Sequence, residues 1–420
     1  MPAFPQQSEG SWLAQLCLSR AAFALIFTTY AAAIPLLMVD WNMSASEAGL
    51  IQSAWHVGYL VSLFSIGFLA DRYGAKRVFL SSSVAAAASA LVFAVFADDF
   101  LSGMILYGLT GLFSGGSYTP GLTLISERFV SQRRGRAMGF YIAAASFGYA
   151  LSLFLTGMLT PVVGWRGAFV VTACGPALGL AMAWYALRQT PNVVHPPAPE
   201  HAAQGSLPAV VGNRPAMLLI WAYVFHSWEL LGMKAWLPAY FAASSRETGF
   251  GAIEAASLGA MLAALAYVAS MAGSVAGGVL SDRIGRTLTI LLMSCASLFC
   301  SFTFGWMYGL PVLLLVLIAL FYSFTAIGDS SVYSTAITEL VAPRHIGAAY
   351  SVRSVLGFGA GAMSPWIFGL VLDATRPGNT ELLAWGLAFC SLGVGGLLGP
   401  LATWKLRARP EARRMAGGKR

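Results

Sequence analysis

His226 and Glu229 stand three residues apart in an otherwise apolar stretch, 216–241. On an α-helix that spacing puts both on one face, about 5 Å apart along the axis. An imidazole that titrates near neutrality beside a carboxyl is chemistry suited to taking up and releasing a proton. A structural hydrogen bond between helices would use the same two residues. Lys234, five residues on, faces elsewhere and reads as a side chain snorkelling to the surface. Three polar stripes at helical spacing run through other apolar segments: Gln52, His56 and Tyr59; Tyr107, Gly111, Ser114 and Tyr118; Tyr322, Asp329 and Tyr333. Such stripes should face an interior cavity, because lipid-facing positions have no reason to be polar. Arg20 and Arg353 are further isolated charges in apolar surroundings, and either suits an anionic substrate. Arg20 also fits a lipid-headgroup contact. Ionisable groups at such positions cost about 2.5–3.5 kcal/mol each on insertion scales, so they are functional candidates by default.

The segments that must position these residues set the class of protein. The chain has 420 residues, of which 57% are hydrophobic and 10% charged. A soluble protein carries about 25% charged residues, which argues against a soluble fold and against a disordered chain. We read twelve apolar segments: 17–39, 48–70, 78–97, 101–124, 137–160 and 167–187, then 216–241, 255–280, 288–307, 311–332, 347–371 and 382–404. Each is long enough to cross a hydrocarbon core of about 30 Å as a helix. None shows the strict alternation of a transmembrane β-strand.

Lysine and arginine placement predicts the orientation. With the N-terminus inside, nineteen of these residues fall in inner loops and the C-terminal tail. The outer loops hold only Arg166, Arg246 and Arg376, among acids such as Asp40, Asp98, Asp99, Asp373 and Glu381. Both termini are therefore expected in the cytoplasm. The net charge of +8 reads as attraction to anionic lipid heads rather than to nucleic acid. No basic n-region precedes the first segment, so no cleaved signal is expected. The five cysteines form no CxxC and are expected to pack. Gly357-x-Gly359-x-x-Ala362 resembles a dinucleotide fingerprint, but it lies in an apolar span with no preceding strand. No Walker loop, zinc spacing or GxSxG occurs. Hence neither an enzyme, a cofactor nor a metal site is expected.

A proline-rich polar stretch, 188–214, divides the chain into halves that repeat each other. Gly67, Leu69, Asp71, Arg72 and Gly74 recur as Gly278, Leu280, Asp282, Arg283 and Gly285, at an offset of 211 residues. Glu127 and Gly135 recur as Glu339 and Gly347, at an offset of 212. The expected units are 1–187, a linker 188–214, 215–404, and a basic tail 405–420. Parallel repeats of this kind are a transporter design.

On these residues the sequence resembles the major facilitator superfamily of secondary transporters. The motif G-x-L-x-D-R-x-G-x-K-R between the second and third spans is complete as Gly67, Leu69, Asp71, Arg72, Gly74, Lys76 and Arg77. Gly164-Trp165-Arg166 and Arg134-Gly135-Arg136-Ala137 also fit. The resemblance implies an all-α membrane protein of twelve helices in two pseudo-symmetric six-helix bundles, with substrate bound between them. It implies that Asp71 caps the start of span eleven and latches the outward-facing state, with Arg72, Lys76, Arg77 and Glu127 as the surrounding charge network. By symmetry Asp282, beside Arg283, would face the start of span five. Two family patterns are degraded. Tyr107 stands where many proton-coupled members have Arg, and span five lacks the paired glycines of drug antiporters.

The expected function is secondary-active transport of a small organic solute by rocker-switch alternating access. An anion is the preferred substrate and proton symport the preferred coupling. The substrate and proton candidates are His56, Tyr59, Tyr118, His226, Glu229, Tyr322, Asp329 and Arg353. Export of a drug or metabolite is the alternative, and a transporter-like solute sensor the more distant one. The expected partners are the lipid bilayer, the solute and protons, with no nucleic acid, and the expected state is a monomer.

Overall fold

A computed structural model describes residues 8–194 and 206–419, and every regular element among them is helical. The linker prolines Pro196, Pro197 and Pro199, and Arg420 of the tail, lie outside the described residues. Helices α1 (Glu9–Phe23) and α2 (Thr29–Asp40) form one 32-residue apolar path. After them come α3 (Ala45–Tyr73) and α4 (Ala75–Phe96). The segment expected as one span over 101–124 is interrupted. Helices α5 (Phe100–Ser114) and α6 (Thr119–Arg128) flank a 3-10 turn at Gly115–Ser117. Adjacent Gly115 and Gly116 weaken the helix there, and Pro120 offers no N–H to continue it. Asp99 caps α5, and the Ser102 backbone N–H and hydroxyl hold its carboxyl below the usual range.

Helix α7 (Ser131–Leu187) covers the expected fifth and sixth spans and is broken at Gly164, where φ is +69°. The remaining helices are α8 (Ser206–Val211), α9 (Arg214–Glu247), α10 (Ala252–Ile284), α11 (Arg286–Thr303), α12 (Val312–Gly328), α13 (Ser330–Leu340), α14 (Ile346–Thr375), α15 (Glu381–Gly396) and α16 (Leu398–Arg407). Ten stretches among the described residues are long and apolar enough to cross a membrane, and one of them, 136–187, has 52 residues. Large apolar side chains such as Val39, Phe68, Val162, Val275 and Leu313 are exposed. Water would penalise such a surface, and a lipid bilayer accommodates it. The protein is an integral membrane protein of helices.

The repeated motif glycine has a backbone reason. Gly74 ends α3 at φ +87° and Gly285 ends α10 at φ +98°. A side chain at either place would be strained, so the tight turn into α4 or α11 needs glycine. Both turns lie at the end of the molecule that carries the chain termini, called here the terminal end. Helix α2 ends, and α3 begins, at the far end.

At the far end the two halves of the chain lock together. A Cβ on Gly49 would sit 2.2 Å from the Pro365 carbonyl oxygen, and one on Gly369 would sit 2.3 Å from the Ala45 carbonyl oxygen. Helices α3 and α14 therefore touch backbone to backbone, which small residues permit. Asp373, expected only as an outer-loop acid, caps this contact. Its Oδ1 accepts from the Ala45 N–H at 2.8 Å and its Oδ2 from the Ser46 N–H at 2.7 Å. A carboxylate at the first turn of α3 meets free amides and the positive end of the helix dipole. The Trp236 indole donates to the Pro365 carbonyl at 2.9 Å, and the Ser257 hydroxyl donates to the Gly157 carbonyl at 2.6 Å.

The terminal end differs from the sequence expectation. Asp71 is exposed and caps nothing among the described residues. With the far end closed, the start of α14 is held by its own half: Tyr350 donates to the Ser334 carbonyl and Arg353 to the Ser334 hydroxyl. Lys76 donates to the Thr190 carbonyl instead of joining a charge network, and Asn192 bridges the Tyr73 carbonyl and the Arg77 N–H. Arg72 lies over the Tyr73 ring. Asp282 does not face span five. It pairs at 2.5 Å with Arg286, one turn on, which also binds Glu339 at 3.0 Å. Arg286 on the following helix is nearer than any group of the other half, so the second motif copy is closed within its own half. Residues 410–418 dock against this cluster: Ala412 and Met415 are buried, and the Ala416 N–H donates to Glu339.

Candidate substrate cavity and buried carboxyl cluster

A cavity of about 500 Å³ lies between the halves, below the far-end contact. Arg20 of α1, Lys234 of α9 and Arg353 of α14 line it, and no aspartate or glutamate does, among the described residues. The two arginines are held alike. Arg20 Nη1 donates to the Ser117 hydroxyl at 2.5 Å, and its guanidinium lies 5.4 Å from the Tyr118 ring centre. Arg353 Nη1 donates to the Ser334 hydroxyl at 2.8 Å, and its guanidinium lies 4.6 Å from the Tyr223 ring centre. In both, the buried Nε has no hydrogen-bond partner. Neither has an acidic partner among the described residues. A serine and a tyrosine face thus hold each guanidinium while its Nε keeps no partner, an arrangement suited to a carboxylate, sulfonate or phosphate.

The cavity wall is aromatic. Tyr59 stacks on Trp55 with ring centres 5.0 Å apart, and its ring also meets Phe358 of the opposite half at 6.1 Å. Phe27 packs on Tyr149 at 4.2 Å, and Tyr149 on Tyr267 at 6.3 Å. His56 lines the same space, with its Nε2 at 3.4 Å from Gln52. Of the sequence candidates, His56, Tyr59, Tyr118 and Arg353 therefore meet here. Tyr107 does not: its hydroxyl donates to the Phe27 carbonyl inside the core. Sequence reading missed Ser117 and Ser334. The signal for Ser117 lay in its place within Gly115-Gly116-Ser117-Tyr118, where a helix break frees a hydroxyl to reach sideways. Lys234, expected at the surface, instead lines the cavity.

The other candidates form a second group, buried within the C-terminal half. His226 Nδ1 lies 2.9 Å from Asp329 Oδ1. Glu229 accepts from Ser297 at 3.1 Å and from Ser301 at 2.7 Å, and Ser301 contacts the Tyr322 hydroxyl at 2.5 Å. His226 and Glu229 share a helix face but take different partners. The stripe of Tyr322, Asp329 and Tyr333 faces this cluster rather than the cavity, and Ser330, Ser331 and Ser334 line the cavity in its place. Tyr223 touches both groups. It carries Arg353 on its face and lies 5.6 Å from the His226 ring.

Stacked helices crossing a bilayer around a charged cavity define a membrane transporter. The sequence matches the Major Facilitator Superfamily over residues 16–365, and the chain belongs to that family. Its members are transporters rather than enzymes. The chain is 25% identical to a probable sulfoacetate transporter of Cupriavidus necator, covering 88% of this chain and 89% of the relative. It is also 25% identical to a hexuronate transporter of Bacillus subtilis, covering 88% and 90%, and to a probable L-galactonate transporter of Escherichia coli, covering 85% and 81%. In fold it is similar to a D-xylose–proton symporter, with TM-score 0.78, 16% identity and coverage of 96% and 98%. A bacterial homologue of the lysosomal transporter Spinster, inward-facing and unoccupied, superposes with TM-score 0.75, 16% identity and 99% coverage of both chains.

Proposed function

We propose that this protein carries small organic anions across the membrane by alternating access, coupled to protons. The single observation behind the anion is the pair of guanidiniums, Arg20 and Arg353, one from each half, facing a cavity without a carboxylate. The three relatives are named for sulfoacetate, hexuronate and L-galactonate, all organic acids, which supports the same class. Twelve crossings follow from the ten apolar stretches if 136–187 crosses twice at Gly164 and 100–128 crosses once despite its break. The working parts are then the halves 1–187 and 215–404, the linker 188–214 and the tail 405–420, with both termini in the cytoplasm.

In this reading the structure is the inward-facing state. The far end is sealed at Gly49, Gly369 and Asp373, while Asp71 waits unpaired at the terminal end. Asp373 and Asp71 alternate as caps of opposite helices. Proton coupling rests on His226, Glu229 and Asp329: two carboxyls and one imidazole in a dry site, where one proton changes the net charge of the cluster. Tyr223 carries that change to Arg353.

Counterflow in proteoliposomes tests the substrate class. Vesicles loaded with an unlabelled hexuronate, L-galactonate or sulfoacetate should accumulate the labelled acid transiently. Neutral sugars exchanging while no acid does would sink the anion reading.

Two gate predictions follow. Asp373→Asn removes a charge-to-dipole contact of about 1–2 kcal/mol. That shift moves the two-state balance roughly 5- to 30-fold away from far-end closure. Spin labels at Val162 and Asn379, in a background without native cysteines, should show a larger population of long distances. An unchanged distance distribution would remove Asp373 from the gate. Asp71→Asn should act in the opposite sense, raising the inward-facing share further, and a shift toward the outward-facing state would contradict its role.

A further inference from the structure

We propose that the cavity has a second polar pole at its far end, built by Lys234, Gln52 and Trp55, so that the substrate is a two-ended acid. This rests on the anion reading of the arginine pole. The positions come from the helices. Tyr223, which carries Arg353, and Lys234 are eleven residues apart on α9. Eleven residues return to nearly the same face about 16 Å along the axis. On α3, Gln52 and Tyr59 are likewise on one face, about 10 Å apart. The arginines hold the lower end of the cavity, and Lys234 stands two residues below Trp236, which seals the top.

The second pole is only partly satisfied within the protein, with Gln52 Nε2 at 3.4 Å from His56 Nε2. Lys234 Nζ lies 4.3 Å from the Tyr267 ring centre and has no carboxylate among the described residues. Trp55 Nε1 and Gln52 Oε1 are buried without any hydrogen bond, although both residues are over nine-tenths buried and line the cavity. The ammonium and the indole N–H suit oxygen acceptors, and the unpaired amide oxygen of Gln52 suits a substrate hydroxyl that donates to it. A donor–acceptor contact takes up about 2.8 Å at each end. Donor poles about 10–16 Å apart then call for acceptor groups separated by roughly 5–10 Å. An extended six-carbon acid with a carboxylate at one end and a carboxylate or hydroxyls at the other meets this. A simple fatty acid, with an apolar tail, leaves the upper donors unpaired, and unpaired buried donors are costly.

The test uses purified full-length protein and calorimetric titration with galactarate, gluconate and hexanoate at constant ionic strength. Galactarate and gluconate should bind at least roughly tenfold more tightly than hexanoate, and Lys234→Met should cut galactarate affinity roughly 10- to 100-fold while leaving hexanoate unchanged. Lys234→Arg should restore most of the preference. Gln52→Leu should narrow it independently by about fivefold, which keeps the test open if Lys234→Met folds poorly. Equal affinity for hexanoate and galactarate in the wild type, with hexanoate still lost in Arg353→Gln, would overturn the second pole and leave the anion reading intact. Failure of every acid to bind would overturn both.

Discussion

Arg353→Gln will lower affinity for the transported acid by about 10- to 150-fold, and Arg20→Gln will do nearly the same. A charge-assisted hydrogen bond is worth about 1.5–3 kcal/mol, and each arginine lines the cavity with its Nε unpaired. Glutamine retains a donor but loses the charge and the planar fork. Arg353→Lys should recover only part of the loss, because an ammonium on a flexible stem cannot reproduce a fork held by Ser334 and Tyr223. The double variant should lose less than the sum of the two single effects if one carboxylate bridges both guanidiniums, since the first loss already releases it. Titration calorimetry gives affinity, and counterflow gives transport by the same protein. The ligand-free melting temperature separates this from misfolding: uncompensated charge inside the protein is costly, so removing it should leave stability unchanged or raised. An Arg353→Gln protein that binds acids as wild type does would end the two-arginine account.

Which parts of this were legible in the sequence follows from the physics of each signal. Helix positions were readable, because apolar length and lysine or arginine placement are local quantities. The break at Gly164 was readable as well, as the gap between the spans 137–160 and 167–187. The Gly115–Ser117 turn was not, because a hydropathy window averages over it. The motif glycine at 74 was readable because the repeat at 285 pairs it with the same backbone need. Asp71 was readable as a residue but not as a state, since a latch is closed in only one of two conformations. Asp373 was overlooked because its partners are backbone amides, which no sequence pattern displays. Lys234 was misplaced by a helix wheel drawn from Glu229. The correct reference was Tyr223, eleven residues back. The stripe on α12 and α13 was a true stripe facing the wrong way: polarity shows that a helix face avoids lipid, but not which of two interiors it turns toward.

The second large effect concerns energy coupling. Glu229→Gln should leave acid exchange intact and abolish accumulation driven by a pH gradient. One proton carried per anion's neutral equivalent makes a gradient of one pH unit worth about 1.4 kcal/mol, or up to about tenfold accumulation. Wild-type proteoliposomes with an alkaline interior should approach that ratio, and Glu229→Gln vesicles should stay near a ratio of one. Glutamine is close in shape: one of the Ser297 and Ser301 hydroxyls keeps a carbonyl to donate to, and the other can turn to accept from the amide NH2. What it removes is the option of losing a proton. Counterflow needs no net proton movement, because the carrier returns loaded, so its rate should change by less than about threefold if only the proton step is touched. Asp329→Asn supplies an independent check, since Asp329 holds the imidazole of His226 from the other side. It should uncouple as well, with the added loss of the Tyr223–His226 geometry showing in acid affinity. Tenfold accumulation retained by Glu229→Gln would place the proton path elsewhere. His56, the imidazole on the cavity wall beside Gln52, is then the group to replace next.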